Sequence, residues 1–312
     1  MTRTYKLWSA AELRDLAEQL ERGTSRAELM ARYSVSYGSL DHQVNRIRSQ
    51  QQAAMEPAAI IHESIYPRYT EPLVYEGDAL ILPDLEAPFH HAGFVNRCLS
   101  LANAWKIPHC VVAGDALHFA SLSAWEPAWS LDQLDELAGP NLGMELRIAS
   151  KTLQALAEQF DSVDLILGNH EGRLIRVLGA VFQPDWMLRL LGLDGKWRVS
   201  PFYFSKVLSA GVPYLIEHPK TTAIGAPGVL ADKFQAHILM AHSHKVGMTT
   251  SRSGRWQGWH IGCCVDEERL PYSAQRHNGG HPHKLGAAII SNGVVYPLFD
   301  GWVDWAFLEG RA

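Results

Sequence analysis

The feature that most constrains this chain is a repeated pattern after residue 77, in which a short apolar run ends in a cluster of polar residues. The runs read ALILPD, CVVAGD, VDLILGNH and HILMAHSH. Helical patterns lie between them, over residues 92–106, 131–160 and 171–192. A strand, a polar end and a helix, repeated along the chain, predict a layered α/β domain. Ligands of such domains gather at the carboxyl ends of the strands, where these clusters lie.

Composition divides the chain into three segments. Residues 1–50 predict a small helical domain, residues 51–76 carry three prolines without a regular period and predict a linker, and residues 77–312 carry the α/β pattern. The first segment holds eight Lys or Arg and six Asp or Glu, which gives +2, so the remainder holds −7 of the total of −5. A basic head on an acidic body indicates an anionic partner for the head alone.

Three short helices are predicted in the head. Ser9 with Glu12 forms a capping box for the first helix, Gly23 ends it, and Ser25 caps the second. A tight turn then leads to a third helix that carries Arg46 and Arg48. This layout resembles the helix-turn-helix and Myb-like DNA-binding domains. A helical oligomerisation or docking module is the alternative interpretation.

Five polar clusters combine oxygen donors with imidazoles. They are Asp84 to Glu86, Asp115 to His118, Asn169 to Glu171, His218, and His242 to His244. This mixture of donors suits Mn, Fe or Zn better than Ca, and no thiol accompanies it to indicate a structural zinc site. The clusters are too far apart in sequence to form a local metal site. Only a sheet that brings the strand ends together would unite them.

The order of these clusters resembles the calcineurin-like metallophosphoesterases, whose motifs run DxH, GDxx(D/H), GNH(E/D), a lone His, and GHxH. The resemblance covers residues 78–300, and GNHE at 168–171 and AHSH at 241–244 are its most specific parts. It implies a four-layer α/β/β/α sandwich with the metal ions at one edge. It also implies a hydrolase that uses two divalent ions, with Mn expected first and Fe, Zn or Ni as alternatives.

The resemblance also implies a role for each matching residue. Asp115 would bridge the two ions, one oxygen to each, and Asp84 and His244 would bind the first ion. The second ion would be bound by Asn169, His218 and His242. His170 would contact the phosphate and assist the leaving group, and with Asp115 and Asn169 it makes up the expected catalytic set. His118 would support a ligand from behind.

The sequence departs from the family pattern at two positions. Glu86 stands where the DxH motif has its His, so the first ion either gains a carboxylate, which favours Mn, or loses a direct ligand. His90 or His91 could compensate, although a place in the loop after the strand is the more ordinary role. Ala241 replaces the Gly of the last motif, which changes only backbone freedom.

The chemistry expected of such a site is hydrolysis by a metal-activated hydroxide. Two neighbouring cations lower the pKa of a shared water and neutralise the phosphate oxygens, so that in-line attack meets less repulsion. His170 would donate a proton to the departing oxygen or hold it by a hydrogen bond. The sequence contains neither a GxSxG elbow nor a GxxxxGK[ST] loop, which argues against a serine hydrolase and a P-loop enzyme.

Pattern and domain order also resemble metallophosphoesterases carried by phages and prophages, and the head makes DNA the expected substrate. The leading hypothesis is therefore a nuclease or DNA phosphodiesterase. The alternatives are a protein or nucleotide phosphatase with a helical docking module, and a DNA-binding protein whose metal site is impaired by Glu86. We expect a cytoplasmic protein of a bacterial or phage-infected cell, with no membrane partner. The oligomeric state stays open.

Several further residues have two interpretations. Arg173 and Arg176 would either clamp a substrate phosphate or be ordinary exposed helix charges. The histidines in GGHPH at 279–283 fit a surface loop better than a ligand role. Trp256 and Trp259 predict core packing rather than base stacking, and we assign Trp302 to packing as well. Cys98, Cys110, Cys263 and Cys264 show no pairing pattern and are expected to be buried thiols.

Overall fold

A computed structural model describes residues 7–55, 68, 70–122, 142–178, 185–193, 195–270 and 283–310. By its internal contacts the chain forms two compact units, Met1–Ile65 and Tyr66–Ala312. Within the described residues, no helix is both long enough and apolar enough to cross a membrane.

The first unit contains three helices, α1 (Ala10–Glu21), α2 (Arg26–Tyr33) and α3 (Tyr37–Met55). Both predicted N-caps are confirmed, because Ser9 and Ser25 each form a complete capping box with the Glu three residues later. Apolar side chains from the three helices form one small core, which comprises Leu16, Leu29, Tyr33, Leu40, Val44 and Ile47. Helix α3 is longer than the sequence pattern predicts and continues five residues past position 50.

The second unit contains two six-stranded mixed sheets. The strands of the first sheet, in spatial order, are β1 (Val74–Glu76), β6 (Phe204–Ser209), β7 (Val212–Glu217), β8 (His237–Met240), β10 (Gln257–Ile261) and β9 (Val246–Thr250). Those of the second sheet are β12 (Val294–Phe299), β11 (Gly286–Ser291), β2 (Ala79–Leu82), β3 (His109–Ala113), β4 (Ser162–Ile166) and β5 (Trp197–Val199). Because β1 pairs with β6, the end of the predicted linker belongs to a sheet.

Helices cover the outer faces of both sheets. The second sheet packs against α4 (Ala92–Ala104), α5 (Leu142–Gln159), α6 (Glu171–Leu178), α7 (Asp185–Leu190) and α9 (Trp305–Glu309). The first sheet packs against α8 (Ala226–Phe234). Between the sheets, side chains such as Ile81, Val111 and Ile166 meet Ile216 and Leu239 in a shared core. The predicted four-layer α/β/β/α sandwich is confirmed.

The last two strands of the chain form a hairpin with an Asn-Gly turn. The predicted hairpin over residues 287–299 is formed by β11 and β12, which pair antiparallel. Asn292 and Gly293 connect them, and both have positive φ angles, 51° and 73°. A two-residue turn with positive φ at both positions has the twist that antiparallel strands require, and Asn-Gly is the preferred sequence for it.

The predicted helix over residues 171–192 is represented by α6 and α7, with residues 179–184 outside the described part of the chain. The predicted helix over 131–160 is described from Leu142 onward as α5, and its first part lies outside as well. Helix α4 matches the predicted stretch 92–106 closely. The helices therefore separate the strands in the way that the repeated pattern predicts.

Candidate metal centre

The five polar clusters meet at one edge of the sandwich. Each lies in the loop that directly follows a strand: Asp84 and Glu86 after β2, Asp115 after β3, Asn169 after β4, His218 after β7, and His242 and His244 after β8. Strands β2, β3 and β4 pair parallel, as do β7 and β8, so their carboxyl ends lie at a common edge. The structure brings together every residue of the predicted ligand set.

A first group comprises Asp84, Glu86 and His244. The Nε2 atom of His244 lies 3.4 Å from Oδ1 of Asp84 and 3.3 Å from Oε1 of Glu86. Both carboxylates are completely buried, and within the described part of the chain neither Asp84 Oδ1 nor Glu86 Oε1 has a hydrogen-bond partner. Two oxygens and one imidazole nitrogen, all buried and converging, leave unmet bonding capacity that a cation would satisfy.

The position of Glu86 bears on whether a metal ion at the first group would gain a carboxylate ligand or lose a direct ligand. Its Oε2 atom is bound by Nδ1 of His118, and it lies 3.6 Å from Nδ1 of His170. Its Oε1 atom faces His244 and is free of hydrogen bonds. Glu86 therefore presents one oxygen to the cluster, in the place where the related motif has an imidazole.

A second group comprises Asp115, Asn169, His218 and His242. The Nε2 atom of His218 is 3.4 Å from Oδ2 of Asp115 and 3.1 Å from Oδ1 of Asn169. Ligand atoms of Asp115, His218 and His242 lie within 4.8 Å of one another. Such a set of oxygen and nitrogen donors fits a divalent transition metal.

His218 is held by the backbone behind it. Its Nδ1 atom is 3.0 Å from the carbonyl oxygen of Ala113, which accepts a hydrogen bond from that nitrogen. The hydrogen bond directs Nε2 toward Asp115 and Asn169. Orientation of a metal-binding imidazole through its other nitrogen is the usual arrangement at metal sites.

The two carboxylate oxygens of Asp115 have different surroundings. Its Oδ1 atom accepts the backbone N–H of His170 at 2.7 Å. Its Oδ2 atom is the one near the histidines, 3.4 Å from Nε2 of His218 and 3.7 Å from Nε2 of His170. A carboxylate oxygen that accepts one N–H keeps a second lone pair, so the expectation that Asp115 bridges two ions stays a prediction.

His170 and His118 lie behind and between the two groups. His170 is buried and stands between Glu86 and Asp115, and burial lowers the pKa of its imidazole. His118 is fully buried, and its ring packs edge-on against that of His170, with centroids 5.1 Å apart. His118 thus supports Glu86 and His170 together, in the place predicted for a residue behind the ligands.

The charged side chains of the two groups shift one another's pKa values. Burial raises the pKa of Glu86, but the charge of His170 and the hydrogen bond from His118 outweigh it and bring that pKa to about 2. Burial lowers the pKa of His218, but Asp115 and Asp84 outweigh it and raise that pKa to about 10. The carboxylate of Glu86 is therefore ionised, and the imidazole of His218 carries positive charge beside Asp115. A bound cation would take the place of imidazole protons.

The loops that carry these residues are locally strained. Asp84, Glu86, Asp115, His242 and His244 have φ angles between 42° and 69°, in the left-handed region. Residues other than Gly seldom adopt this conformation, which costs of order 1 kcal/mol or more at each position. Ala241 does not share it and is buried, so the missing Gly of the last motif removes no conformation that this loop uses.

Sequence reasoning assigned no role to Glu171, which ties two of the loops together. Its buried carboxylate accepts the backbone N–H groups of Gly168, Asp115 and Leu117 at 2.7, 3.1 and 3.0 Å. Burial and the nearby charge of Asp115 raise the pKa of Glu171 to about 7. The only sequence signal for this residue is its place in GNHE.

The two arginines after GNHE differ in their surroundings. Arg173 donates from Nη1 to the backbone carbonyl of His118 at 2.7 Å, so its guanidinium supports the loop after β3. Arg176 is exposed on α6. His91 is the N-cap of α4 and receives the N–H of Phe94, which accounts for it without a metal.

All four cysteines are free and buried, as expected. One of them, Cys263, lies in a group with His244 and His283, so a thiol does stand beside the cluster, which the sequence did not predict. The ring of His283 packs edge-on against that of His244, with centroids 4.3 Å apart. The rest of the GGHPH run lies outside the described residues.

The tryptophans differ in burial, and the sequence did not predict the exposure of Trp302. Trp259 is buried between the sheets, and Trp256 packs against the core beneath α8, as predicted. Trp302 was assigned to packing, and this was wrong, because 69% of its surface is exposed. It follows β12 in a turn that ends the hairpin, where no layer covers it.

Comparisons with known proteins give no sequence relative. No family model matches the chain, and no curated protein matches it. Solved structures of other proteins are similar in part, among them three that each cover about 70% of this chain. A novel archaeal phosphodiesterase is 10% identical over 71% of this chain and 99% of its own, with a TM-score of 0.39. The phosphoesterase Yfce from E. coli is 13% identical over 70% and 90%, with a TM-score of 0.36.

The third structure is vacuolar protein sorting 29 from Cryptosporidium parvum, 12% identical over 72% of this chain and 96% of its own, with a TM-score of 0.36. TM-scores below 0.5 do not establish a shared activity or site. The architecture described above therefore stands on the topology of this chain itself.

Proposed function

We propose that this chain is a phosphoester hydrolase that depends on two divalent metal ions. The observation that carries the proposal is the convergence of carboxylate, amide and imidazole donors from five separate loops. The carboxylates, His218 and His244 are buried, His242 is half-buried and Asn169 is exposed. One oxygen of each of two carboxylates, Asp84 Oδ1 and Glu86 Oε1, has no hydrogen-bond partner among the described residues. Burying such groups without compensation is costly, so a structural role alone explains them poorly.

The first group, Asp84, Glu86 and His244, would hold one ion, and the second group, Asp115, Asn169, His218 and His242, would hold the other. Separations of 3.1–3.4 Å between donor atoms suit neighbouring ligands on one ion, since metal–ligand bonds are about 2.0–2.2 Å long. When bound, the ions would activate water and neutralise phosphate charge. Oxygen-rich donors in the first group favour Mn.

The residues of the chain that surround this site have their own tasks. His170 lies beside both groups, where its imidazole can hold the departing oxygen by a hydrogen bond, or donate a proton to it when the ring is protonated. Glu86 and Asp115 stand on either side of its ring and orient it. Glu171 and Arg173 hold the loops that carry Asp115 and His118.

The substrate that we propose is DNA, which makes the chain a nuclease or DNA phosphodiesterase. Support comes from the first unit, a three-helix body in which α3 presents Arg46 and Arg48 on its exposed surface. A helix with exposed cations suits the phosphate backbone of a nucleic acid. A phosphatase acting on proteins or nucleotides, with this unit as a docking module, is the alternative.

The assay uses the full chain with added Mn²⁺ and four substrates: p-nitrophenyl phosphate, its bis ester, single-stranded DNA and duplex DNA. The proposed nuclease cleaves the bis ester and at least one form of DNA. Cleavage of the mono-ester alone would favour the phosphatase. Hydrolysis of none of the four would overturn the proposed function.

A third possibility is a DNA-binding protein whose metal centre is impaired by Glu86. The burial of Glu86 inside the first group argues against it, because the carboxylate offers a free oxygen where the ion would lie. Metal analysis of the purified chain tests this point. Two equivalents of transition metal are expected, whereas one equivalent that rises to two in Glu86→His would show that the carboxylate impairs the site.

The role of the helical unit is tested by the double variant Arg46→Ala/Arg48→Ala. It should weaken DNA binding and leave hydrolysis of the bis ester unchanged. The double variant Arg14→Ala/Arg22→Ala removes the same charge from exposed positions of α1 and serves as the control. Equal DNA affinity of the two double variants would contradict a DNA-binding role for α3.

A further inference from the structure

A cleft beside the candidate metal centre has no role in the function proposed above. Its volume is roughly 330 Å³, within the range of small-molecule sites. The residues that line it include Ile224, Lys245, Met248, His260, Lys284 and Trp302. It runs along β9, which is an edge strand of the first sheet.

The cleft is tied to the metal centre through two backbone connections. Lys245 directly follows His244, and the backbone N–H of Lys284 donates to the carbonyl oxygen of His244 at 3.0 Å. Lys284 in turn directly follows His283, whose ring packs against that of His244. Each of the two lysines of the cleft is therefore one residue away from a ring at the centre.

Several of the side chains that line the cleft are apolar and exposed. Trp302, Ile224 and Met248 are 69%, 68% and 57% exposed, respectively. Exposed apolar residues that gather around one concave site indicate a ligand rather than a solvated surface. Trp302 adds a flat ring, which is the shape that stacks on a nucleobase.

The charge of the cleft has a single sign. Among the described residues that line it, Lys245 and Lys284 are the charged ones, and there is no carboxylate. The ammonium group of Lys245 is anchored, because it donates to the carbonyl oxygen of Thr222 at 2.7 Å. The ring of His260 is anchored as well, by Ser243 on one side and the carbonyl oxygen of Ile224 on the other.

We infer that this cleft binds the nucleoside part of a phosphodiester substrate, with its base against Trp302 and its neighbouring phosphate near Lys245 and Lys284. The inference rests on the proposed function and adds to it the chemical class of the group that flanks the scissile bond. A flat aromatic wall next to two cations complements a nucleotide, which joins a flat base to an anion. A phosphopeptide offers the anion without the base.

The first test compares two esters that share one leaving group, thymidine 5′-(p-nitrophenyl phosphate) and methyl p-nitrophenyl phosphate. The ratio of their kcat/KM values measures what the nucleoside contributes. Trp302→Ala should lower this ratio about tenfold, since stacking on one aromatic ring has about that effect. Trp186 is an exposed tryptophan on α7, beside β5, which is an edge strand of the second sheet. Trp186→Ala is the control and should leave the ratio unchanged.

The lysines are tested in the same way. Lys245→Ala and Lys284→Ala should each lower the ratio several-fold, and Lys151→Ala, an exposed lysine on α5, serves as the control. Metal content is measured for every variant, so that a lost ion is not mistaken for a lost nucleoside contact. An unchanged ratio in Trp302→Ala with full metal content would overturn the inference while leaving the hydrolase intact.

A binding measurement separates this inference from the proposed function. Calorimetric titration of the Mn²⁺-loaded chain with thymidine 5′-monophosphate needs no turnover. Binding that weakens about tenfold in Trp302→Ala would support the cleft even if no ester were hydrolysed. Absence of binding to the unaltered chain, or a Trp302 dependence seen only with a phosphoserine peptide, would overturn it.

Discussion

Gly168 lies so close to Asp115 that a β-carbon at position 168 would stand 2.1 Å from Oδ1 of that carboxylate and 2.4 Å from its backbone nitrogen. No side-chain adjustment relieves a clash with backbone. Gly168→Ala should therefore displace Asp115, lower the metal content and reduce kcat/KM for the bis ester by at least about 100-fold, as misplacement by about 1 Å does. Metal analysis and steady-state kinetics measure both effects.

The control for this substitution is Gly172→Ala. A β-carbon at Gly172 would have no neighbour within 4 Å, and the residue lies inside α6. Alanine is a better helix former than glycine, by about 0.5–1 kcal/mol, so this variant should keep full activity and be slightly more stable. Equal losses in both variants would show that the effect of Gly168→Ala is not the local clash.

Glu171→Gln tests the connection between the loops. The carboxylate accepts three backbone N–H groups, and an amide would place its own NH₂ against at least one of them. One unpaired buried donor costs about 1–3 kcal/mol. Chemical denaturation should show a loss of that size, together with weaker metal binding. Unaltered stability would mean that water replaces the lost acceptor.

His170→Ala separates proton transfer from metal binding. The imidazole lies between Glu86 and Asp115 but is not in the proposed ligand set. Turnover of the bis ester should fall about 100-fold or more, the usual contribution of a general acid, while metal content stays at two equivalents. Loss of metal from this variant would show that His170 is itself a ligand.

The sequence predicted the parts of the fold that depend on local signals. The capping box of Ser9, the N-cap Ser25 and the Asn292–Gly293 turn were predicted because a few adjacent residues determine them. The strand ends were predicted because each apolar run stops at a polar cluster. Their convergence follows from the parallel pairing of β2, β3 and β4.

What the sequence did not predict depends on contacts between distant segments. Glu171 binds backbone groups 54 and 56 positions away, and no pattern in its own neighbourhood indicates that. Cys263 lies beside His244 only because β9 and β10 turn back on each other. From its sequence neighbourhood alone, Trp302 cannot be told apart from a tryptophan that packs beside a strand. Its exposure depends on its position after the hairpin.

Metal binding should stabilise the second unit, because the buried carboxylates are preorganised for a cation that the unfolded chain binds poorly. At a Mn²⁺ concentration of about 100 times Kd, linkage predicts a gain of about 2.7 kcal/mol in the free energy of unfolding for each ion bound. Thermal unfolding at increasing Mn²⁺ measures it, and EDTA should reverse it. Asp84→Asn should reduce the gain, whereas Asp304→Asn, at the N-cap of α9, should not.

The first unit offers a pH dependence that is separate from the metal centre. The hydroxyl of Tyr33 donates to Oδ2 of Asp15 at 2.6 Å, and the guanidinium of Arg32 donates to both carboxylate oxygens at 3.0 and 3.1 Å. These bonds, that of Tyr33 foremost, lower the pKa of Asp15. Because the folded pKa lies below the unfolded value of about 3.9, the carboxylate stabilises the fold fully above that value and less as pH falls through the folded pKa.

Asp15→Asn should remove this dependence. The ring of Trp8 packs against that of Tyr33, with centroids 5.1 Å apart, so the indole N–H resonance of Trp8 reports on this unit within the full chain. Followed by this resonance, the melting temperature of the first unit should be lower at pH 3 than at pH 6 in the unaltered chain. The difference should be smaller in Asp15→Asn. Glu18→Gln is the control, since Glu18 is exposed on α1, where its carboxylate pairs with Arg22 at 3.8 Å. If Glu18→Gln flattened the pH profile as much as Asp15→Asn does, general charge repulsion rather than the Asp15–Tyr33 bond would explain the dependence.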